Sequence, residues 1–171
     1  MRLGRGHRLR LAGCALLLAA VAAACGDSGP AATTACGSIR REALDPNYLV
    51  HVLPGATGVR YLTDPPTSGA HQPAPQLAPV QRRPLPRPVQ VGVLEGGRVL
   101  LQYRDVPPAD VAQLEKLSGP QVVVAPNPDL RPAGRVTATA WTYKRSCRSV
   151  DPAALREFIG QRAGKGPGRA P

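Results

Sequence analysis

Two histidines and one glutamate carry the residue types that could do chemistry together in this chain. His51 and His71 are the histidines that follow the first 25 residues, and Glu95 lies downstream of both. Two imidazoles and a carboxylate form the donor set of a facial metal site. Such a site takes a borderline divalent ion and leaves positions open for water or substrate. Taken one at a time, the same residues favour a plainer assignment: His51 as a polar position on a strand, His71 as a loop residue, and Glu95 as a hairpin residue facing Arg98. Ser68 stands between Thr67 and Gly69 and lacks the Gly-x-Ser-x-Gly context of a nucleophile elbow, so it reads as turn chemistry after Pro65-Pro66. No cysteine sits in a Cys-x-x-Cys pair or beside a histidine, which leaves neither a catalytic thiol nor a cysteine metal site.

The four cysteines are explained by export. Arg2, Arg5, Arg8 and Arg10 precede Leu11 to Ala24, an apolar run of 14 residues without charge. A bilayer-spanning helix needs about 20 such residues. A basic start, a short apolar run and small residues before a cut describe a secretory signal. Two lipoprotein-like boxes compete, Leu11-Ala12-Gly13-Cys14 and Ala22-Ala23-Ala24-Cys25. The first matches the usual letters better, but only the second closes the apolar run, and a polar stretch from Gly26 to Pro30 follows it. Cys25 is therefore the expected lipidation site, with simple secretion as the alternative. Residues 1–24 are then a lipoprotein signal peptide, residues 25–35 a flexible tether, and the protein is held on the outer face of the cell membrane. Cys36 and Cys147 remain, and two cysteines in an oxidising compartment predict a disulfide.

Charge narrows the partners. Beyond the signal, 18 basic residues stand against 11 acidic ones, a net +7. Anionic lipid headgroups attract such a domain. The basic residues are scattered and not interleaved with aromatics, and the chain leaves the cytoplasm, so nucleic acid is not an expected partner. The membrane, reached through a lipid anchor, and an envelope protein or ligand are.

These residues need elements to position them. Ser38–Leu44 reads as one or two helical turns, and Tyr48–Leu53 as a strand-like run stopped by Pro54-Gly55. Pro65 to Pro88 holds eight prolines, which cannot donate to a central sheet, so it reads as an extended surface loop. Within it, Arg82 to Pro88 has the look of a polyproline II ligand, although a plain spacer explains it better. Val89–Leu94 and Arg98–Arg104 are β-rich runs separated by Glu95-Gly96-Gly97, a tight-hairpin signal because such turns need positive φ. Pro107-Pro108 opens a helix through Leu117, and Gln121–Ala125 is a buried strand. Arg135–Tyr143 reads as a single alternating strand. Asp151 caps a last helix with Pro152 at its first position, and Leu155, Phe158 and Ile159 form its apolar face. The predicted fold is α+β: a two-layer sandwich with a largely antiparallel sheet, two helices and a long Pro-rich loop. It forms one domain over residues 36–162, with a disordered tail over 163–171.

Several groups of residues together resemble a known family. They are His51-Val52, Pro65-Pro66-Thr67-Ser68-Gly69-Ala70-His71, Leu94-Glu95-Gly96-Gly97, Val99 to Tyr103, Thr139-Ala140-Trp141 and Phe158-Ile159. The pattern resembles bacterial domain of unknown function number 3105, over roughly Tyr48 to Gln161. The resemblance implies a commonly exported or membrane-attached domain and no particular reaction. The family pattern resembles Leu-Glu-His-Gly-Gly, usually with another histidine shortly before it. Here the histidine position is Gly96, and Val89 to Val93 contains none. At most three protein ligands are left, which predicts weak or absent metal binding and no strong hydrolytic activity. The sequence therefore favours a non-catalytic envelope binding module. A metal-dependent enzyme, or a relic of one, using His51, His71 and Glu95 with a divalent metal is the alternative.

Overall fold

The computed structural model describes residues 35–73, 75–132 and 134–167; Cys14, Cys25 and the predicted signal lie outside them. Eight elements follow one another along the chain: β1 (Arg40–Arg41), α1 (Arg87–Glu95), β2 (Val99–Tyr103), α2 (Pro108–Glu115), β3 (Val122–Pro126), β4 (Val136–Ala140), β5 (Tyr143–Cys147) and α3 (Pro152–Arg162). The strands form one sheet in the order β1-β5-β4-β2-β3. Only β2 and β3 run parallel, with α2 as the crossover between them; the other pairings are antiparallel. The α+β class stands, with three helices instead of two.

Strand alternation divides the core between the two faces of the sheet. Val99, Leu101, Val122, Val124, Val136, Ala138 and Ala140 face Leu114 of α2 and Leu155 and Phe158 of α3. Leu100, Val123 and Ala125 face Val93 and Leu94 of α1, with Leu85 beside them. Leu94, Leu114, Leu155 and Phe158 are fully buried, each contributing about 1.5–3 kcal/mol. Helix α3 starts as expected: the Asp151 carboxylate accepts from the Ala154 N–H at 3.0 Å, and Pro152 needs no donor in the first turn.

The largest departure from the sequence reading is Val89–Leu94, which is helix and not strand. Alternating valines suggested a half-buried strand, yet Gln90, Val91, Gly92, Val93 and Leu94 are all buried. A helix enclosed on nearly every side has no polar face to show a 3.6-residue period, so the β-branched side chains dominated the pattern. The positive φ expected at Gly96-Gly97 is present, at Gly97 (+78°), but it ends α1 and does not turn a hairpin. The Gly97 N–H donates to the Leu94 carbonyl and the Arg98 N–H to the Val93 carbonyl, a Schellman closure.

Three smaller corrections concern strands. The run expected as one strand from Arg135 to Tyr143 breaks at Trp141-Thr142, where Thr142 has φ +56° and the chain turns back into β5. Ser38–Leu44 forms no helical turn; Arg40–Arg41 instead pair with Tyr143 and Lys144 at the sheet edge. Tyr48–Leu53 is not a strand but a looped segment with one bridge, His51 to His71. The Pro-rich segment, expected to lie on the surface throughout, is buried from Pro65 to His71, and further on it lays Val80 against the outer edge of β3. Past α3, the Gly164 N–H donates to the Gly97 carbonyl at 2.7 Å, so the first residues of the expected tail lie against the end of α1.

Cys36 and Cys147 are joined by a disulfide across 111 residues of sequence, and it ties the start of the domain to the end of β5.

Candidate metal centre

The segment Pro65–His71 is buried throughout. Thr67 accepts from the Thr142 N–H at 3.0 Å through its carbonyl, which straps the segment to the β4–β5 turn. The Ser68 hydroxyl accepts from the Asp45 N–H at 2.9 Å, a bond across 23 residues rather than the local turn role expected of it. Gly69 has φ +124°, and a Cβ there would lie 2.9 Å from the Tyr61 ring, so both backbone shape and space require glycine. The strap therefore delivers His71 to one place with little freedom.

His51 reaches the same place through the backbone. The His71 N–H donates to the Val50 carbonyl at 2.9 Å, and the Val52 N–H donates to the His71 carbonyl at 2.8 Å. These two bonds set the imidazoles edge to face, with ring centroids 4.9 Å apart. Glu95 arrives on the last turn of α1. The opening turn of that helix is fixed to the strap, by Arg87 to Asp64 at 2.7 Å and by the Gln72 N–H to the Pro88 carbonyl at 3.1 Å. At Gly92, helix and strap come so close that a Cβ would sit 2.0 Å from the Gln72 carbonyl oxygen.

One ligand-capable atom from each of His51, His71 and Glu95 lies within 4.8 Å of the other two. His71 is 1% exposed, Glu95 is partly exposed and His51 is open to solvent. Nδ1 of His71 lies 2.9 Å from the Gly69 carbonyl, which can only accept, so Nδ1 carries the proton. Nε2 of a neutral ring then holds a lone pair. It lies 3.0 Å from Oε2 of Glu95, in a direction that makes no hydrogen bond. Two acceptors at that separation repel unless a cation, whether a proton or a metal ion, stands between them. A tetrahedral ion with bonds of about 2.0–2.1 Å holds its ligand atoms roughly 3.3 Å apart, close to the 3.0 Å between His71 and Glu95, while the three ligand atoms as a set lie within 4.8 Å. The carbonyl behind Nδ1 is also the outer-shell partner that a metal-bound histidine needs.

The bland assignment of the three residues does not describe this arrangement. Glu95 belongs to a helix end and its partner is His71, not Arg98. Sequence reasoning missed three supports. Trp141 stands edge-on to His71 with centroids 6.4 Å apart, Asp45 organises the loop bearing His51, and the Gly69 carbonyl orients the ring. The Trp141 contact and the Asp45 bond to Leu62 join residues far apart in sequence and carry no local signal, whereas the Gly69 carbonyl acts on His71 only two residues on.

A family model described as "Protein of unknown function (DUF3105)" matches residues 42–171. No curated protein and no solved structure matches the chain.

Proposed function

We propose that this chain, which belongs to the DUF3105 family, is an exported, lipid-anchored domain that binds a divalent metal ion through His51, His71 and Glu95. The observation that carries the metal reading is the His71–Glu95 contact. A buried Nε2, its tautomer set by the Gly69 carbonyl, faces a carboxylate oxygen at 3.0 Å without a hydrogen bond. Imidazole donors suit zinc and copper better than manganese. The anchor rests on the sequence around Cys25, and among the described residues no helix is long and apolar enough to cross a membrane.

A metal held by these three protein ligands would keep a position open for water or a further ligand, and His51 is the exposed member of the set. That opening is what favours the second reading, a metal-dependent enzyme. The donor set serves equally well as a module that binds a ligand through the metal, and this is the reading we adopt. Isothermal titration of the purified mature protein with zinc, copper and manganese tests it. Saturable one-to-one binding of zinc or copper that disappears in Glu95→Gln is expected. Absence of binding for all three ions overturns the proposal.

A further inference from the structure

Among the described residues, the large aliphatic side chains left exposed are Leu44, Leu49, Val50, Leu53 and Leu62, and all five fall within one stretch of chain. Leu53 is 81% exposed and Leu49 75%. Such side chains scattered singly need no explanation, whereas their concentration on one segment marks an interaction surface.

The segment is not slack. Asp45 is buried, and its carboxylate accepts from the N–H groups of Asn47 at 2.9 Å and Leu62 at 3.1 Å. Its carbonyl accepts from the Tyr48 N–H, and its own N–H donates to Ser68. One residue therefore brings the flanks of Leu44, Leu49 and Leu62 to a single joint. The two bonds to His71 pin Val50 to Leu53 beside it. These bonds hold the backbone while Leu49 and Leu53 stay open to solvent.

Charge selects the occupant. Asp45 is the only acid between Ala43 and Thr63, and its carboxylate is consumed in these bonds. Arg60 within the segment and Arg40 and Arg41 just before it are exposed. Glu42 and Asp64, at the two ends of the segment, are ion-paired, with Arg40 at 3.6 Å and Arg87 at 2.7 Å, so neither flank presents a free carboxylate. Exposed aliphatic tips with an unpaired arginine among them match the boundary between anionic headgroups and acyl chains. We infer that the Leu44–Leu62 loop docks on an anionic phospholipid surface, with Leu49 and Leu53 entering it. The inference depends on neither the metal centre nor acylation of Cys25.

Leu53→Trp, at the most exposed position, gives the test, with Arg156→Trp on the exposed side of α3 as reference. Each full-length protein, processed and purified as its host delivers it, is mixed with phosphatidylcholine vesicles with or without phosphatidylglycerol, carrying bromine-labelled acyl chains. After subtraction of the Trp141 signal, the Leu53→Trp emission should shift to the blue and be quenched in anionic vesicles. The reference should not respond, even where an acyl anchor holds both proteins on the vesicle. Adding Arg60→Glu should weaken the quenching in anionic vesicles and leave the neutral ones unchanged. Quenching no greater than that of the reference overturns the inference. So does a blue shift that grows with protein concentration without lipid, which would make the surface a contact between copies.

Discussion

Nε2 of His71 lies 3.0 Å from Oε2 of Glu95 although the two residues sit on different elements, one on a buried strap and the other at the end of α1. Neither can retreat easily. His71 is held by two backbone bonds to the His51 segment and by its Nδ1 contact with Gly69, and α1 is pressed against Gln72 at Gly92. A fixed pair of acceptors facing each other is the physical basis for expecting a cation.

Glu95→Gln preserves the shape of the side chain and removes its charge, and His71→Asn removes the buried donor. Each should lower zinc or copper affinity at least about 100-fold, beyond the 10–100-fold typical of losing an outer-shell partner. His51→Ala, at an exposed position, should lower affinity with little effect on stability. Calorimetry and thermal melts with and without metal read both quantities. Saturating metal at roughly 100 times the parent's Kd should add about 2.7 kcal/mol to the parent and at most about 0.4 kcal/mol to Glu95→Gln.

Two glycines one helical turn apart should respond in opposite ways. A Cβ at Gly96 meets nothing closer than 3.5 Å, with φ −67°. Gly96→Ala should be neutral or stabilising by up to about 1 kcal/mol. Gly96→His should raise metal affinity, and an unchanged affinity would count against a shared site. At Gly92 the Cβ would lie 2.0 Å from the Gln72 carbonyl oxygen, so Gly92→Ala must push α1 off the strap. We expect a loss of about 1–3 kcal/mol, together with weaker metal binding because Glu95 moves with the helix. Urea denaturation and metal titration of the same variants check both effects.

The Cys36–Cys147 bridge joins residues 111 positions apart in the sequence. On the chain-entropy model, replacing both cysteines with serine should cost about 4–5 kcal/mol. Chemical denaturation of the double variant measures the loss. Thiol labelling of the denatured, unreduced parent should find neither cysteine reactive.

Tyr61 supplies a pH dependence. Burial pushes its phenol up to about 12, against an ordinary value of 10.0; nearby Arg87 opposes the shift and Asp45 adds to it. The folded state thus keeps the proton in a range where the unfolded state loses it. The resulting stability is fully present below pH 10 and is lost as the pH rises through about 12. Absorbance titration should show two of the four tyrosines ionising late, Tyr103 delayed by its burial and Tyr61 last. Tyr61→Phe should remove that last step and flatten the alkaline loss. It should also cost about 1 kcal/mol at neutral pH for the hydroxyl's hydrogen bond to the Ala70 carbonyl.

Lipidation at Cys25 is read by mass spectrometry of the membrane fraction after expression of the full gene in a host that processes lipoproteins. A mature N-terminus at Cys25 carrying diacylglycerol is expected. A start at Cys14, or an unmodified N-terminus, rules it out.

What was legible in the sequence is what local chemistry dictates. Asp151-Pro152 opens α3 because an acid cap and a proline at the first position act within one turn. β2, β3 and α2 followed from short apolar runs and their Pro and Gly boundaries, and the pairing of Cys36 with Cys147 from counting thiols. The identity of α1 was not legible. Its residues are buried on nearly all sides, so no period marks a face, and only packing between the sheet and the strap makes Val89–Leu94 helical. The turn at Trp141-Thr142 carries no glycine, and it too was hidden. The candidate ligands His51, His71 and Glu95 could be named from residue type, but not their convergence. That convergence depends on a bridge between two loop segments, a positive-φ glycine and a helix pinned against a carbonyl oxygen. Each is a contact between residues distant in the chain, and only the tertiary structure brings them together.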